Sequence, residues 1–291
     1  MTGNNRRRRP DVGSIPPAGY LVVSAVFHYL GPSFAVLLFA VVDPLGVAWL
    51  RIASAAVVFG IWRRPWRVLA RMDARARRAL VAWGGALAAM NCCFYLAIDR
   101  LPLGTVAAIE FVPVIVLAAL GSRTRRNLAA LALAVLGVYL LTDVVLAGQP
   151  LGVLLAFANA VLFAAYIVLG HRAAQHGAVP GVDTLACAML LAAALVTPFT
   201  AASALPALTS PVTLLAGIGV GISSSVIPYV TDQWAMARLK RSSYALLISL
   251  LPATATAVGL VVLHQVPTLV EVAGIGLVVG AVALHRDEDA R

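Results

Sequence analysis

The sequence predicts an all-α, polytopic membrane protein of ten transmembrane helices arranged as two inverted five-helix repeats. Three observations lead to this prediction. Apolar residues make up 61% of the 291 residues and charged residues only 12%; the mean hydropathy is +0.92; and the basic residues alternate between successive loops. A soluble domain carries about 25% charged residues, so this chain lacks the polar side chains that would cover a water-facing surface.

Apolar runs close to the roughly 20 residues that cross a bilayer recur along the chain. Turn signals such as Asp43-Pro44 and Gln149-Pro150 separate them. A loop and a helix end are hardest to distinguish in the stretch 201–211. The predicted spans are 18–41, 45–62, 79–98, 104–121, 127–143, 151–170, 183–203, 212–236, 243–263 and 268–284.

The distribution of positive charge gives the orientation of these spans. Of the 22 Lys and Arg residues, 20 lie in the two tails and the even-numbered loops; only Arg100 lies in an odd-numbered loop, and Arg51 lies inside the second span. This alternation follows the positive-inside rule and predicts that both termini are cytoplasmic. The net charge of +10 is therefore a topology signal, and no nucleic-acid partner is expected. Tryptophan favours membrane boundaries, and the tryptophans expected at the cytoplasmic boundary are Trp62, Trp66 and Trp83.

The two halves of the chain show a weak internal repeat. An offset of 139 residues aligns three pairs, which are Tyr95 with Trp234, Pro113 with Pro252 and Gly137 with Gly276. Because each half has an odd number of spans, the second half enters the membrane from the opposite face, as in many secondary transporters. We therefore expect a cytoplasmic basic tail (1–17), a first repeat (18–143), a second repeat (151–284) and a cytoplasmic tail (285–291).

Two opposite charges lie inside predicted spans. Glu110 and Arg51 each lie six residues from the outer end of their span, which corresponds to a depth of roughly 9 Å. Exposing such a charge to lipid costs about 2.5–3.5 kcal/mol, so we expect both side chains in the bundle interior, where they could pair. One interpretation is an ion pair that only locks two helices, and the other is a substrate or proton site.

Other polar residues in the spans have similar alternatives. Asp232, which follows Pro228, is either a site residue or a solvated interfacial acid. Tyr95, Tyr166 and Tyr229 line a cavity or anchor the helices at the interface. A lone histidine such as His28 is more often a packing residue than a ligand.

No enzymatic constellation is apparent in the sequence. The three cysteines, Cys92, Cys93 and Cys187, have no metal-ligand spacing, and nucleotide-binding fingerprints are absent. We therefore expect no catalytic residues, no metal and no cofactor.

Three groups of residues carry a resemblance to a known family. The first is Met90-Asn91, Phe94-Tyr95-Leu96, Pro102-Leu103-Gly104, Ala108 and Glu110-Phe111; the second is Ala164, Tyr166-Ile167, Gly170, Arg172-Ala173 and His176-Gly177; the third is Ser224, Pro228-Tyr229, Pro252-Ala253, Ala255 and Gly259. On these residues the chain resembles the EamA-type branch of the drug/metabolite transporter superfamily, and most closely its Rht-type threonine/homoserine exporters.

The resemblance covers roughly residues 20–285 and implies ten helices, two inverted repeats and export of small amino acids or related polar metabolites from the bacterial inner membrane. The chain departs from the exporters at Leu251, where they carry a glutamate, and at His264-Gln265, where they carry Gly-Glu. Asp232 keeps an acid where they have glutamate. These departures leave the coupling ion and the substrate open.

The sequence thus favours a secondary exporter that works by alternating access, with a proton as the possible coupling ion. An amino-acid substrate would place its ammonium near Glu110 and its carboxylate near Arg51. Drug or amine efflux on the same fold is an alternative, and a non-transporting membrane enzyme or scaffold is another. The expected partners are the lipid bilayer and a small-molecule substrate. The candidate substrate- or proton-binding residues are Glu110, Arg51, Asp232, Tyr95, Asn91, Tyr166, Tyr229 and Ser33.

Overall fold

A computed structural model describes residues 17–113, 116, 124–146, 149–175, 181–236 and 251–284 of the chain, and every regular element in this part is helical. A 3-10 turn covers Ala201–Ala204, and a π-helical turn covers Ile222–Val226. The helices are α1 Pro17–Leu38, α2 Pro44–Arg63, α3 Pro65–Leu69, α4 Ala74–Ile98, α5 Leu103–Glu110, α6 Arg125–Leu146, α7 Pro150–Gln175, α8 Gly181–Thr200, α9 Leu205–Leu208, α10 Pro211–Gly221, α11 Ile227–Met236, α12 Leu251–Leu263 and α13 Leu269–Leu284.

Several of these helices are suited to cross a membrane. Five segments are long and apolar enough, and they are Pro44–Arg63, Ala74–Ile98, Pro150–Leu169, Gly181–Leu208 and Pro211–Thr231. Shorter apolar helices cover Val22–Leu38, Leu251–Leu263 and Leu269–Leu284. The fold is thus that of a polytopic helical membrane protein. The count of ten spans stays a prediction, because parts of the predicted fourth and ninth spans lie outside the described residues.

Polar residues at the helix starts explain where several spans begin. Asp43 accepts a hydrogen bond from the Leu45 amide (2.9 Å) at the start of α2, and Asp73 accepts one from the Ala76 amide (2.7 Å) at the start of α4. Such caps satisfy amides that have no partner within the helix. These two acids thus act as N-caps and take no part in a site within the bundle.

Glu271 forms the reciprocal version of this cap at the start of α13. Its Oε2 accepts from the Thr268 amide (2.7 Å) and hydroxyl (3.0 Å), while the Thr268 hydroxyl accepts from the Glu271 amide (3.2 Å). This pattern is a capping box, in which two residues three apart satisfy each other's free amides. The carboxylate of Glu271 is therefore occupied in helix capping, although its side chain is largely buried.

Small residues fill the interior, and large apolar side chains cover the outside. Alanine is the most frequent residue of the buried core, while Phe199 and Leu269 are exposed by 83% and 88%. This distribution suits a lipid solvent, in which small residues let helices approach closely. The 201–211 stretch contains the 3-10 turn and the short helix α9.

Helix pairing brings distant parts of the chain together. The main contacts join α4 to α7 and α8, α6 to α13, α2 to α8 and α10, α1 to α11 and α12, and α5 to α12. At the crossing of α6 and α13, Gly137 and Gly274 approach so closely that a Cβ on either would lie 2.7–2.8 Å from the carbonyl oxygen of the other. A Cβ at Gly276, the residue that the repeat alignment pairs with Gly137, would meet no atom within 4 Å. The alignment itself stays a prediction.

The tryptophans expected at the membrane boundary behave differently from one another. Trp62 and Trp66 are about half exposed, in keeping with the expectation, but Trp83 is only 5% exposed. The Trp83 ring packs inside the bundle against Tyr166, with centroids 5.5 Å apart, and its position at the membrane boundary stays a prediction. The residue lies about two turns into α4, which begins at Ala74, earlier than the predicted start at residue 79.

Candidate functional site

Glu110 lies at the C-terminal end of α5, in the interior of the bundle. Its side chain is 4% exposed, and its Oε1 accepts a hydrogen bond of 3.1 Å from the Asn159 side-chain amide on α7. The regular helix ends here, since the amide of Phe111 bonds to the carbonyl of Ala108 in a tighter turn. The carboxylate is therefore kept away from lipid and held by a neighbouring helix.

Arg51 lies in the middle of α2 and is also 4% exposed. Its Nε donates to the Ser225 hydroxyl (2.8 Å), and its Nη2 donates to the Ser224 carbonyl (3.0 Å). The guanidinium lies over the Tyr95 ring, 5.5 Å from the centroid, in a cation–π arrangement. The two hydrogen bonds use Nε and Nη2, and the Tyr95 hydroxyl lies close enough to interact with the same guanidinium.

The π-helical turn between α10 and α11 supplies the acceptors for Arg51. A π turn widens the helix and displaces a backbone carbonyl from the regular ladder, and here the Ser224 carbonyl faces Arg51. Two glycines allow the approach: a Cβ at Gly31 would lie 2.7 Å from the Ser224 nitrogen, and a Cβ at Gly221 would lie 2.8 Å from the Arg51 carbonyl. Helices α1, α2 and α10 thus meet tightly around the guanidinium.

The direct ion pair expected between Arg51 and Glu110 is wrong. Among the described residues, ion pairs within 4.0 Å join Arg63 to Asp183 and Arg100 to Asp99. Equal depth in two helices does not determine which way the side chains turn, and each charge finds another partner: Arg51 the serines of the π turn and Glu110 the amide of Asn159. The two charges still act on each other electrostatically. We call these two charged groups, which lie in one buried region without direct contact, the poles of that region.

Several buried polar atoms near these poles have no hydrogen-bond partner among the described residues. They are the hydroxyls of Tyr29, Tyr95 and Ser224, the amide oxygen of Asn159 and the indole nitrogen of Trp83. Most buried polar groups in proteins are paired, so this cluster of exceptions is a set of hydrogen-bonding groups that a polar ligand could use. Four of them belong to residues around the two charges. Asn159 bonds to Glu110, and Tyr29 lies within electrostatic range of it. The Tyr95 ring lies under the Arg51 guanidinium, and the Ser224 carbonyl accepts a hydrogen bond from it.

Aromatic side chains form one wall of this region. The Tyr166 ring stacks on Tyr229 at 6.3 Å and packs against Trp83 at 5.5 Å, and Tyr229 lies 6.3 Å from the His28 ring. His28 also contacts Tyr29 edge to face at 5.3 Å. The predicted residues Tyr95, Tyr166 and Tyr229 are thus brought to the same part of the bundle as Arg51.

The remaining predicted residues are placed elsewhere or fall outside the description. The Asn91 amide donates to the Leu87 carbonyl of its own helix (2.8 Å), and the Ser33 hydroxyl donates to the Leu30 carbonyl of its own helix (2.7 Å). Both side chains therefore have a hydrogen-bond partner within their own helix. The backbone of Asp232 belongs to α11, but its side chain lies outside the described residues.

Two of the cavities in the described part of the chain are not lined by Arg51 or Glu110. One, of about 170 Å³, lies at the end of α5 opposite Glu110 and is lined by residues that include Gly104, Thr105, Gln265 and Glu271. The other, of about 450 Å³, is an apolar cleft between α1 and α10. Thr105 precedes Glu110 by five residues, about 7.5 Å along the helix. The smaller cavity therefore lies about 7.5 Å along α5 from the buried Glu110.

Sequence reasoning missed several residues of the buried region. Asn159, Tyr29, Ser224 and Ser225 were not among the predicted site residues. An amide in an otherwise apolar span was the available signal for Asn159, because a buried amide needs a partner. Nothing in the sequence indicates that Tyr29, rather than the nearby Tyr20, lies within electrostatic range of Glu110.

Comparisons with known proteins give a consistent result. A model of the EamA-like transporter family matches residues 150–286. The chain is 32% identical over 271 residues to the threonine/homoserine exporter RhtA of Escherichia coli K12, covering 91% of this chain and 89% of the relative. It is also 32% identical over 257 residues to the RhtA exporter of Salmonella typhimurium LT2, covering 86% and 84%. A solved crystal structure of a protein whose function is not stated has the same fold, with a TM-score of 0.60, 21% identity, and coverage of 91% of this chain and 96% of that one.

Proposed function

Because this chain belongs to the EamA-like transporter family, we propose that it is a secondary transporter that exports a small, threonine- or homoserine-like amino acid or a related polar metabolite. The observation that supports a polar cargo is the buried region in which Glu110 and Arg51 stand as opposite charges. Charged residues inside a membrane protein are costly and most often mark a substrate or ion path. The two exporters at 32% identity, with nearly full-length coverage, support an amino acid as the cargo.

The proposed setting is the bacterial inner membrane, crossed by ten helices with both termini in the cytoplasm. The alternation of basic loops supports this orientation. The described helices agree with the predicted spans at most of their ends, since α2, α7 and α10 each begin at a proline within one residue of the predicted start.

Two inverted repeats, 18–143 and 151–284, form the second part of the proposal. Helix pairing supports it, because the contacts join equivalent spans of the two halves. The second span contacts the seventh (α2 with α8), the fourth contacts the ninth (α5 with α12), and the fifth contacts the tenth (α6 with α13). The contact of the third span with the sixth (α4 with α7) is equivalent to that of the eighth span with the first (α10 and α11 with α1), since each joins the third span of one half to the first span of the other. Such a two-fold pattern suits alternating access, in which one repeat rocks against the other around a fixed site.

A zwitterionic amino acid fits the two poles. Its ammonium would lie at the Glu110 carboxylate, and its carboxylate would bind the Arg51 guanidinium, since Arg binds carboxylates with a planar fork of donors. The hydroxyls of Tyr29, Tyr95 and Ser224 have no partner among the described residues and would bond the cargo's remaining polar atoms. The proposed substrate- or proton-binding residues also include Tyr166, Tyr229 and Asp232. The support for Asn91 and Ser33 is weaker, because their side chains bond to their own helices.

Proton antiport is the proposed coupling. Glu110 is the group that could exchange a substrate ammonium for a proton, because one carboxylate cannot hold both in the same place. Export of the cargo would then be linked to proton entry through the same buried carboxylate. No ATP-binding domain is needed in such a scheme.

Efflux of a drug or other organic amine is the second candidate, and the aromatic wall favours it. Tyr166, Tyr229 and Trp83 present ring faces, which attract organic cations. An amine without a carboxylate would, however, leave Arg51 without its counter-charge.

Counterflow in reconstituted vesicles separates these candidates. Vesicles that hold the purified protein are loaded with unlabelled threonine, homoserine or an aromatic amine, and entry of the labelled compound is followed with and without a pH gradient. The proposal expects counterflow with the amino acids and acceleration by the gradient. Counterflow with the amine alone would assign the protein to amine efflux, and no counterflow with any compound would argue against transport of this cargo class.

A further inference from the structure

A dense group of arginines lies between the second and third spans, in residues 63–78, which we call the arginine segment. Its seven arginines are Arg63, Arg64, Arg67, Arg71, Arg75, Arg77 and Arg78, and its one acid is Asp73. The Asp73 carboxylate caps α4 by accepting from the Ala76 amide at 2.7 Å. The positive charge of the segment is thus almost unopposed.

Most of these arginines are exposed and have no partner among the described residues. Arg63 pairs with Asp183, and Arg77 donates to the Ala70 carbonyl at 3.4 Å. No hydrogen bond or ion pair within the described part of the chain involves the exposed side chains of the other five, Arg64, Arg67, Arg71, Arg75 and Arg78. The segment therefore presents free guanidinium groups to whatever lies beside it.

The backbone at the start of the segment is held in a sharp turn. Arg64 adopts a left-handed conformation with φ of 50°, which turns the chain sharply between α2 and α3. For a residue other than glycine this conformation is uncommon and has to be held by its surroundings. The anchors are Pro65, which is buried and whose carbonyl accepts from the Cys187 thiol at 3.5 Å, and the ion pair between Arg63 and Asp183.

Two tryptophans mark the depth of the segment. Trp62 and Trp66 are 48% and 52% exposed on either side of the turn, and the Trp66 ring lies beside Gly60. Tryptophan rings prefer the headgroup level of a bilayer. The arginines next to them are therefore at the level of the lipid phosphates.

We infer that the arginine segment is a binding surface for the phosphate headgroups of anionic phospholipids, such as phosphatidylglycerol. The positive-inside rule alone accounts for the sign of the charge but not for an exposed array beside interfacial tryptophans. Clusters of four to eight basic residues next to a transmembrane helix bind anionic lipid, each residue adding to the attraction. Arg suits this task because its planar fork matches phosphate oxygens. The inference is independent of the cargo and requires only that the chain spans a membrane.

The test measures lipid binding to the purified full chain in detergent. Phosphatidylglycerol and phosphatidylcholine with the same acyl chains are titrated, and bound lipid is counted by native mass spectrometry. The variants are the triple substitution Arg67→Gln, Arg71→Gln and Arg75→Gln, and the same three positions changed to Lys. Arg125→Gln, which alters an exposed arginine at the start of α6, is the matched control.

We expect wild-type protein to prefer phosphatidylglycerol, and the Gln triple variant to bind it at least about tenfold more weakly. The Lys triple variant should retain most of the binding because the charge remains, and Arg125→Gln should change it little. Raised salt should weaken binding, as expected for surface charges. Equal binding of the two lipids by wild type, or an unchanged affinity in the Gln triple variant, would overturn the inference. Binding of double-stranded DNA in place of phosphatidylglycerol would assign the surface to a nucleic acid instead.

Discussion

Asn159 on α7 donates its side-chain amide to the Glu110 carboxylate on α5 across 3.1 Å, and both side chains are buried. The two residues are 49 positions apart in the chain, and in the proposed repeats they belong to opposite halves. The Asn159 amide oxygen has no partner of its own among the described residues. This oxygen and the Glu110 carboxylate are therefore acceptors that a ligand could use. A substrate ammonium would satisfy them.

Replacement of Asn159 by Ala should weaken transport strongly. Hydrogen bonds to charged groups contribute about 1.5–3 kcal/mol, which corresponds to a fall in transport efficiency of roughly 10- to 100-fold. Labelled amino-acid counterflow measures the effect. The matched control is Asn91→Ala, since the Asn91 amide bonds only to its own helix and should change transport far less. Equal losses in the two variants would contradict the assignment of Asn159 to the site.

Substitution Arg51→Lys should impair the protein although it keeps the charge. The Arg51 fork reaches the Ser225 hydroxyl and the Ser224 carbonyl together, and a lysine ammonium cannot reproduce this planar geometry. We expect weaker substrate binding, measured by substrate-induced thermal stabilisation in detergent. Arg100→Gln is the control, because Arg100 pairs with Asp99 at the surface, where the two side chains are 28% and 34% exposed and such a pair contributes little. Wild-type binding by Arg51→Lys would show that the fork is dispensable.

Gly31→Ala should destabilise the contact between α1 and the π turn. A Cβ at Gly31 would lie 2.7 Å from the backbone nitrogen of Ser224, which forces the two helices apart. Overpacking of this kind costs about 1–3 kcal/mol, and the thermal unfolding midpoint in detergent should fall. Gly219→Ala serves as the control, since a Cβ there meets no atom within 4 Å and alanine favours helix. An unchanged midpoint for Gly31→Ala would mean that this crossing tolerates separation.

Gln265→Ala should loosen the end of the bundle that borders the smaller cavity. The Gln265 Oε1 accepts from the Leu103 amide at 3.1 Å, one of the amides that have no partner within α5. This bond ties the start of α5 to the segment between α12 and α13. We expect faster hydrogen exchange at residues 103–106, measured by mass spectrometry. Gln149→Ala, at an exposed glutamine before α7, should leave this exchange unchanged, and no acceleration in Gln265→Ala would contradict the role of the bond.

The spans were the most predictable part of the structure, because their signals are local. A proline at the first turn starts α2, α7 and α10, and Asp43 caps the first of these; both features are visible in the sequence. Apolar length then determines where each helix ends. The burial of the Trp83 side chain was not predictable, because the rotation of α4 about its axis depends on the helices that pack against it.

The site was predictable in its charges but not in its contacts. Burial of Glu110 and Arg51 follows from the cost of exposing charge to lipid. Their partners depend on long-range packing, since Ser224 and Ser225 are more than 170 positions from Arg51. The π turn that presents the Ser224 carbonyl has no clear sequence signature, and it forms where α1 and α2 press against α10 through Gly31 and Gly221.

The central claim is that Glu110 binds the cargo or the proton during export, and Glu110→Gln tests it most directly. Vesicles that hold this variant are compared with wild type for amino-acid transport driven by a pH gradient. Thermal unfolding checks that the variant is folded. Glu271→Gln is the matched control, because Glu271 serves as a helix cap, a role that glutamine also fills. The account predicts that Glu110→Gln folds but loses proton-driven transport, while Glu271→Gln retains it. Wild-type rates in folded Glu110→Gln would remove Glu110 from the mechanism.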